Sequence, residues 1–211
     1  MNRRRMMMLQ QGKGFELVYD AASGDVPDST QWLKYYTPFG NGYYSQTVVD
    51  NTLELTNSHM YQKNGFYPKE HEYAARCSMT VEFKGTPAAG MTIHLTDGTY
   101  SALGVIKSNC YFHVETTDMG HNKRCEKAVV LNDINTFTVI KYPTYAEYYL
   151  NGELLYTQTE LFETETVSIG NKGTSASDST SNGFIPQRRN SVGTAYGQAT
   201  TYITKFIYKE W

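Results

Sequence analysis

Nine residues in the alternating stretches of the sequence carry side chains suited to holding a ligand: Arg76, Thr80, His94, Tyr111, His113, Glu115, Tyr145, Glu147 and Tyr149. Each stands out of phase with an apolar row, so each projects from the face of a strand opposite the core. Tyrosine rings pack against C–H-rich ring faces, while carboxylates, imidazoles, hydroxyls and a guanidinium bond polar edges. That is the mixed lining of a small-ligand site. The same residue types also decorate any solvated sheet face, so only their grouping on one surface can decide between the two.

Covalent and metal chemistry find less support. The five histidines (His59, His71, His94, His113 and His121) lack HxxxH or HxH spacing. There is no Gly-rich phosphate loop between a strand and a helix, and no GxSxG elbow. Asp97, Asp118 and Asp178 could offer oxygens to calcium, but none sits in a dense ligand loop, and Asp97-Gly98 reads as a turn. No cofactor is indicated. Cys77, Cys110 and Cys125 are too few and too scattered for a disulfide framework or a zinc site, so reduced, buried thiols are expected.

The elements that carry the candidates are strands. The segment 135–158 reads NTFTVIKYPTYAEYYLNGELLYTQ, with Asn151-Gly152 near its end. Asn-Gly accepts positive φ at both central turn positions and favours a tight hairpin. Ala146, Tyr148 and Leu150 alternate with Tyr145, Glu147 and Tyr149 before it, and Leu154 to Tyr156 return after it. Phe137 and Val139 mark a third strand, with Pro143 at the bend, which makes an antiparallel meander. Tyr73 to Lys84 alternates apolar and polar residues and predicts one long strand. Met91, Ile93 and Leu95 predict another, and Cys110, Phe112 and Val114 a further inward-facing row. Other strands are expected at Phe15–Asp20, Trp32–Tyr36, Tyr43–Val49, Leu53–Leu55, Ala128–Leu131, Val167–Ile169 and Tyr202–Lys209, with a hairpin turn at Asn64-Gly65. Residues 170–183 hold Gly, Ser, Thr or Asn at eleven of fourteen positions and predict a surface loop.

Composition agrees with an all-β chain. Of 211 residues 14% are aromatic, 18 of them tyrosines, and runs of helix formers are nearly absent. A net charge of −2 argues against a broadly basic nucleic-acid surface. Residues 1–14 form a basic, methionine-rich arm ahead of one domain over 15–211. The arm's apolar run of four residues is too short for a signal-peptide core or a membrane span, so cytoplasmic synthesis is expected.

The strand ending in YYLNGEL at 148–154, its return strand and the closing YITKFIYK of 202–209 resemble concanavalin A-like lectin/glucanase sandwiches, including laminin-G and pentraxin domains. The resemblance implies a two-sheet antiparallel jelly-roll sandwich and, on one sheet face, binding of an extended glycan. It leaves open which face is concave. The Glu-x-Asp-x-Glu signature of sandwich glucanases does not occur. Glu163 and Glu165 share its spacing but lack a third acid and read as rim charges. The lead RRRMMM resembles the start of proteins encoded in bacterial prophages, in tail and host-recognition clusters. Together these imply a non-catalytic module binding a cell-surface glycan, possible contacts with virion proteins through the arm, and no nucleic acid partner. A glycan-cleaving hydrolase or lyase and a purely structural virion module remain the alternatives.

Overall fold

A computed structural model describes residues 14–36, 43–59, 64–71, 73–88, 90–114, 125–163, 191–194 and 197–211. These build two antiparallel sheets. In chain order the strands are β1 (Glu16–Asp20), β2 (Trp32–Tyr36), β3 (Tyr44–Val49), β4 (Thr52–His59), β5 (Asn64–Pro68), β6 (Cys77–Lys84), β7 (Met91–Thr96) and β8 (Tyr100–Ile106). They continue with β9 (Tyr111–Val114), β10 (Cys125–Ala128), β11 (Ile134–Lys141), β12 (Ala146–Leu150), β13 (Glu153–Gln158), β14 (Phe162–Glu163), β15 (Ser191–Thr194) and β16 (Gly197–Glu210). The first sheet runs β13-β12-β11-β6-β16-β4-β3, with β1 also on β16; the second runs β10-β9-β8-β7-β15-β5-β2, with β14 on β8. Among the described residues no helix is long and apolar enough to cross a membrane.

Alternation explains the layering. Cys77, Met79, Val81 and Phe83 of β6, Phe137 and Val139 of β11, and Ala146, Tyr148 and Leu150 of β12 all face inward. They meet Met91, Ile93, Leu95, Ala102, Ile106, Phe112 and Val114 of the second sheet in one apolar cluster. At this size such a core needs no covalent staple. All three cysteines are free, Cys77 buried and Cys110 and Cys125 half-buried; burial foremost pushes the Cys77 thiol up to about 12.

The meander forms as the sequence implies, β13-β12-β11. Asn151 and Gly152 take φ of 52° and 82°, and the Asn151 side chain accepts the Thr136 amide at 2.8 Å. Five expectations need correction. The strand expected from Tyr73 begins only at Cys77, because the Ala74 amide donates to Thr96 O (3.2 Å) and Ala75 O accepts from Lys141 (3.4 Å), outside any ladder. Asn64-Gly65 is not a turn but the start of β5. Asn64 is wholly buried and its amide bridges the sheets, accepting from Gln46 (2.7 Å) and donating to Ser45 O (2.8 Å) and Thr56 O (3.1 Å). The strand expected at Ala128–Leu131 lies instead at Cys125–Ala128, since the Asn135 side chain bonds both the amide and the carbonyl of Asn132 (2.8 Å each) and turns the chain. Cys110, expected to face inward, occupies a turn with φ of 60°. The closing strand is longer than Tyr202–Lys209 and spans Gly197–Glu210, serving β4 with its first half and β1 and β6 with its second. Val167–Ile169, residues 170–183, Glu165 and the arm over residues 1–13 lie outside the described residues.

Two further contacts tie the sheets together. Gly104 of β8 faces inward, where an added Cβ would stand 2.7 Å from Tyr148 Cδ1 and 2.8 Å from Phe137 Cζ. At one end of the sandwich Lys141, fully buried, donates to Asp97 Oδ2 at 2.7 Å, while Asp97 Oδ1 accepts the Thr99 and Tyr100 amides at 2.9 and 2.7 Å. Burial would raise the Asp97 pKa, but the Lys141 hydrogen bond, the two amides and the ammonium's charge together outweigh it and hold it below the usual value.

Two outcomes test this account. Gly104→Ala should cost about 1–3 kcal/mol in urea melts, because neither ring has room to retreat; an unchanged midpoint would refute the packing. Asp97→Asn strands a buried ammonium and should cost about 3–5 kcal/mol. Because the folded pKa of Asp97 is depressed, its contribution is complete above the unfolded value of about 3.9 and is lost as pH falls through the lower folded value. The variant's stability should therefore depend less steeply on pH in that acid window, which thermal melts across pH 2–6 would show.

Candidate ligand-binding site

The nine candidates separate onto two sheets. Arg76, Thr80, Tyr145, Glu147 and Tyr149 belong to the outward face of the first sheet. The register there is continuous. Glu147, Ile140, Ser78, Lys209 and Glu16 form one cross-strand row; Tyr149, Thr138, Thr80, Ile207 and Val18 form the next. The Thr80 and Thr138 hydroxyls bond at 3.0 Å within the second row.

A third row lies just beyond the ladder's end. The last paired row, Ala146–Lys141–Cys77–Glu210, faces inward. The residues next to these in the chain therefore face outward, which places Tyr145, Tyr142, Arg76 and Trp211 side by side in strand order β12-β11-β6-β16. The rings confirm the order. Tyr142 and Tyr145 stack at 4.2 Å with 12° between planes, and Tyr142 meets Trp211 edge-on at 6.4 Å and 76°. The Arg76 guanidinium carbon sits 5.6 Å from the Tyr142 centroid and 5.4 Å from that of Trp211, within cation–π range of both. Three strand spacings put the backbones at its two ends about 14 Å apart, and the side chains lean together, so that the rings lie closer than that.

The row is open. Arg76 and Trp211 are exposed, and Tyr142, Tyr145, Glu147 and Tyr149 are half-buried. Tyr142 and Tyr145 close the β11–β12 turn, the Tyr142 amide donating to Tyr145 O at 2.8 Å, so their stacking follows from the backbone. Tyr149 Oη donates to Glu147 Oε2 at 2.9 Å, and that bond heads the causes raising the Tyr149 pKa. Tyr142 is raised chiefly by desolvation and next by the Glu147 charge, which places the carboxylate beside the ring pair. The result is a bank of aromatic faces with a guanidinium between Tyr142 and Trp211 and a carboxylate at the Tyr145 end.

The remaining candidates occupy the second sheet. His94 pairs with Leu103, and His113 with Val105 and Glu126, all on the side away from the inter-sheet cluster. Yet His94 and His113 are 0% and 1% exposed, and Leu103, Val105, Thr96 and Ser101 are equally buried. Tyr111, at the sheet's edge strand, keeps 39% exposure. Glu115 lies outside the described residues. A ligand arriving from solvent therefore meets the first sheet's row and not the two imidazoles.

Two members of the row escaped the sequence argument. Tyr142 read as part of a bend beside Pro143, and Trp211 follows the last periodic residue, so neither had a phase. Extending the alternation one step past Lys141 and Glu210 would have assigned both outward. Among the described residues no group of three or more His, Cys, Asp or Glu could hold a metal ion. Asp97 spends its carboxylate on Lys141 and two turn amides.

No protein-family model matches the sequence, and no curated protein matches it. Solved structures do. A galectin-like protein of unknown function from Bacillus subtilis is 10% identical, with 94% of this chain and 96% of that one covered at a TM-score of 0.58. A carbohydrate esterase of the Shiga toxin-encoding bacteriophage phi24B is 12% identical, with 94% and 99% covered at 0.55. A glycosidic hydrolase is 13% identical, with 92% and 94% covered at 0.54. Identities this low speak for fold alone. The chain adopts the two-sheet jelly-roll sandwich of galectin-like and concanavalin A-like lectins and glucanases.

Proposed function

We propose that the protein is a non-catalytic carbohydrate-binding module whose glycan lies along Tyr145, Tyr142, Arg76 and Trp211, beside Glu147 and Tyr149. The observation that carries this reading is the open row of aromatic faces. Pyranose rings offer C–H-rich faces to aromatic planes and hydroxyls to carboxylate and phenol groups, and this row supplies both within about 14 Å. The neighbouring structures are carbohydrate esterases and hydrolases as well as galectin-like proteins, which supports a saccharide as the ligand class. A cell-surface polysaccharide is the partner that fits an open face better than a closed pocket. The basic arm of residues 1–14 is the segment that would tether the module to a larger, virion-type assembly.

One contact favours glycan cleavage as a second reading. Next to Trp211, His71 Nδ1 lies 3.1 Å from Glu210 Oε1, and Tyr208 Oη donates to the same oxygen at 2.6 Å. A carboxylate-oriented imidazole is a general base in form.

A glycan array followed by titration calorimetry tests both. Trp211→Ala and Tyr145→Ala should weaken binding of any captured glycan about tenfold or more, about 1.4 kcal/mol each, while Tyr111→Ala on the second sheet leaves it unchanged. Binding that survives both row substitutions would refute the proposed surface. Release of new reducing ends from a bound polysaccharide, abolished by His71→Ala, would make the protein an enzyme.

A further inference from the structure

We infer that Arg76 makes this surface selective for sugars that carry a carboxylate, an inference that rests on the glycan reading above. The other cations of the face are engaged: Lys209 lies 2.9 Å from Glu16, Lys205 lies 3.9 Å from Asp20, and Lys84 donates to the Thr52 hydroxyl at 2.6 Å. Arg76 differs. It is exposed, and among the described residues it makes no hydrogen bond or ion pair. Its contacts are the two rings, 5.6 and 5.4 Å from the guanidinium carbon.

Those contacts orient the group without consuming it. The two rings cross at 76°, so the guanidinium can lie flat on no more than one of them, and none of its five N–H donors is taken by a hydrogen bond or ion pair among the described residues. The ordering entropy of a long, flexible side chain is thus offset by ring contact before any ligand arrives. A planar, two-oxygen carboxylate is the acceptor that fits this fork, giving paired charge-assisted bonds that a sugar hydroxyl cannot match. The charge pattern along the row points the same way. Glu147 stands two strands from Arg76, about 10 Å across the sheet, or one Debye length at ordinary salt. Its carboxylate is already engaged by the Tyr149 hydroxyl at 2.9 Å. The surface therefore has an anion-binding position at Arg76, between Tyr142 and Trp211, and a hydroxyl-binding end at Glu147, with the Tyr142–Tyr145 stack between them. An acidic oligosaccharide would span it with one carboxylate on the guanidinium and a neutral ring against Tyr145.

The test pairs each acidic probe with its neutral twin. Oligogalacturonate, oligoguluronate and oligosialate are titrated beside the same oligosaccharides after reduction of their carboxyl groups. For at least one pair the native protein should bind the acidic form about tenfold more tightly at low ionic strength, about 1.4 kcal/mol, with the preference shrinking as salt is added. Arg76→Gln should bind the acidic and reduced forms equally, whatever their shared affinity. Arg76→Lys, which keeps the charge but loses the fork, should recover only part of the preference. Thermal melts of both variants should match the native protein, since the residue is exposed. Equal binding of acidic and reduced forms by the native protein, or a preference that persists in Arg76→Gln, overturns the inference and leaves the glycan reading intact. Failure of every oligosaccharide, acidic or neutral, to bind overturns both.

Discussion

Withdrawing a lysine ammonium from water is costly unless a carboxylate is brought to meet it, and Lys141 is fully withdrawn. Its partner is the turn between β7 and β8 on the opposite sheet. That turn can reach the ammonium only because Asp97 folds its own Thr99 and Tyr100 amides onto one oxygen and leaves the other for Lys141. Ala75 O takes a second position around the same nitrogen at 3.4 Å. One buried charge thereby fixes the end of β11, the approach to β6 and the turn of the facing sheet. Removing both partners for well-packed apolar groups could leave stability almost unchanged, whereas removing one could not. The pair's contribution is positional. Tyr142 follows Lys141 and Arg76 follows Ala75, so the outward row inherits its spacing from the buried charge beneath it.

The other half of the row depends on how the chain's two ends meet. β16 lies between β6 and β1, and the Glu210 amide donates to Phe15 O at 2.9 Å. The Phe15 ring stacks on His71 at 3.5 Å and 9°, and the His71 carbonyl oxygen lies 3.2 Å from the Tyr208 hydroxyl, whose proton goes to Glu210. Trp211 is thus held by a strand anchored on both flanks, which is why its ring can stand exposed and still keep a defined angle to Tyr142. Rigid support of this kind lowers the entropy lost when a ligand is held.

Legibility in the sequence tracked how local the cause was. The meander at 135–158 was readable because Asn151-Gly152, the phase of Ala146 to Leu150 and the Pro143 bend are properties of neighbouring residues. The same logic placed Tyr145, Glu147 and Tyr149 on one outward face. It failed where a distant group set the conformation. Asn64-Gly65 carries the signature of a turn, but Gln46 and the carbonyls of Ser45 and Thr56 capture the Asn64 amide and straighten the segment into β5. Tyr73 and Ala75 continue the alternation of β6 on paper, yet Thr96 and Lys141 take their neighbourhood out of the ladder. Phase gives the side of a strand, and nothing in phase says what lies above that side.

That last distinction separates the two outward faces. His94 and Tyr145 are equivalent as residue types and as positions: each is polar or amphipathic, and each alternates with core residues. Their surroundings make them different materials. Around His94, the outward positions Leu103 and Val105 are aliphatic and the whole patch is closed to solvent, so its imidazole belongs to the protein's interior and any ligand would first have to expose apolar surface at about 25 cal/mol per Å². Around Tyr145, the outward positions are the half-buried Glu147 and Ile140 and the ring of Tyr142, with aromatic faces already aligned, so a ligand can be taken up without opening the fold. An open face binds weakly per contact and gains from length, and a row of four side chains laid across four strands suits an extended chain of sugar rings rather than a single one. The sandwich thus supplies two sheets, and it is the ladder's end, where strand pairing stops, that leaves one of them with an open row of aromatic side chains in mutual contact.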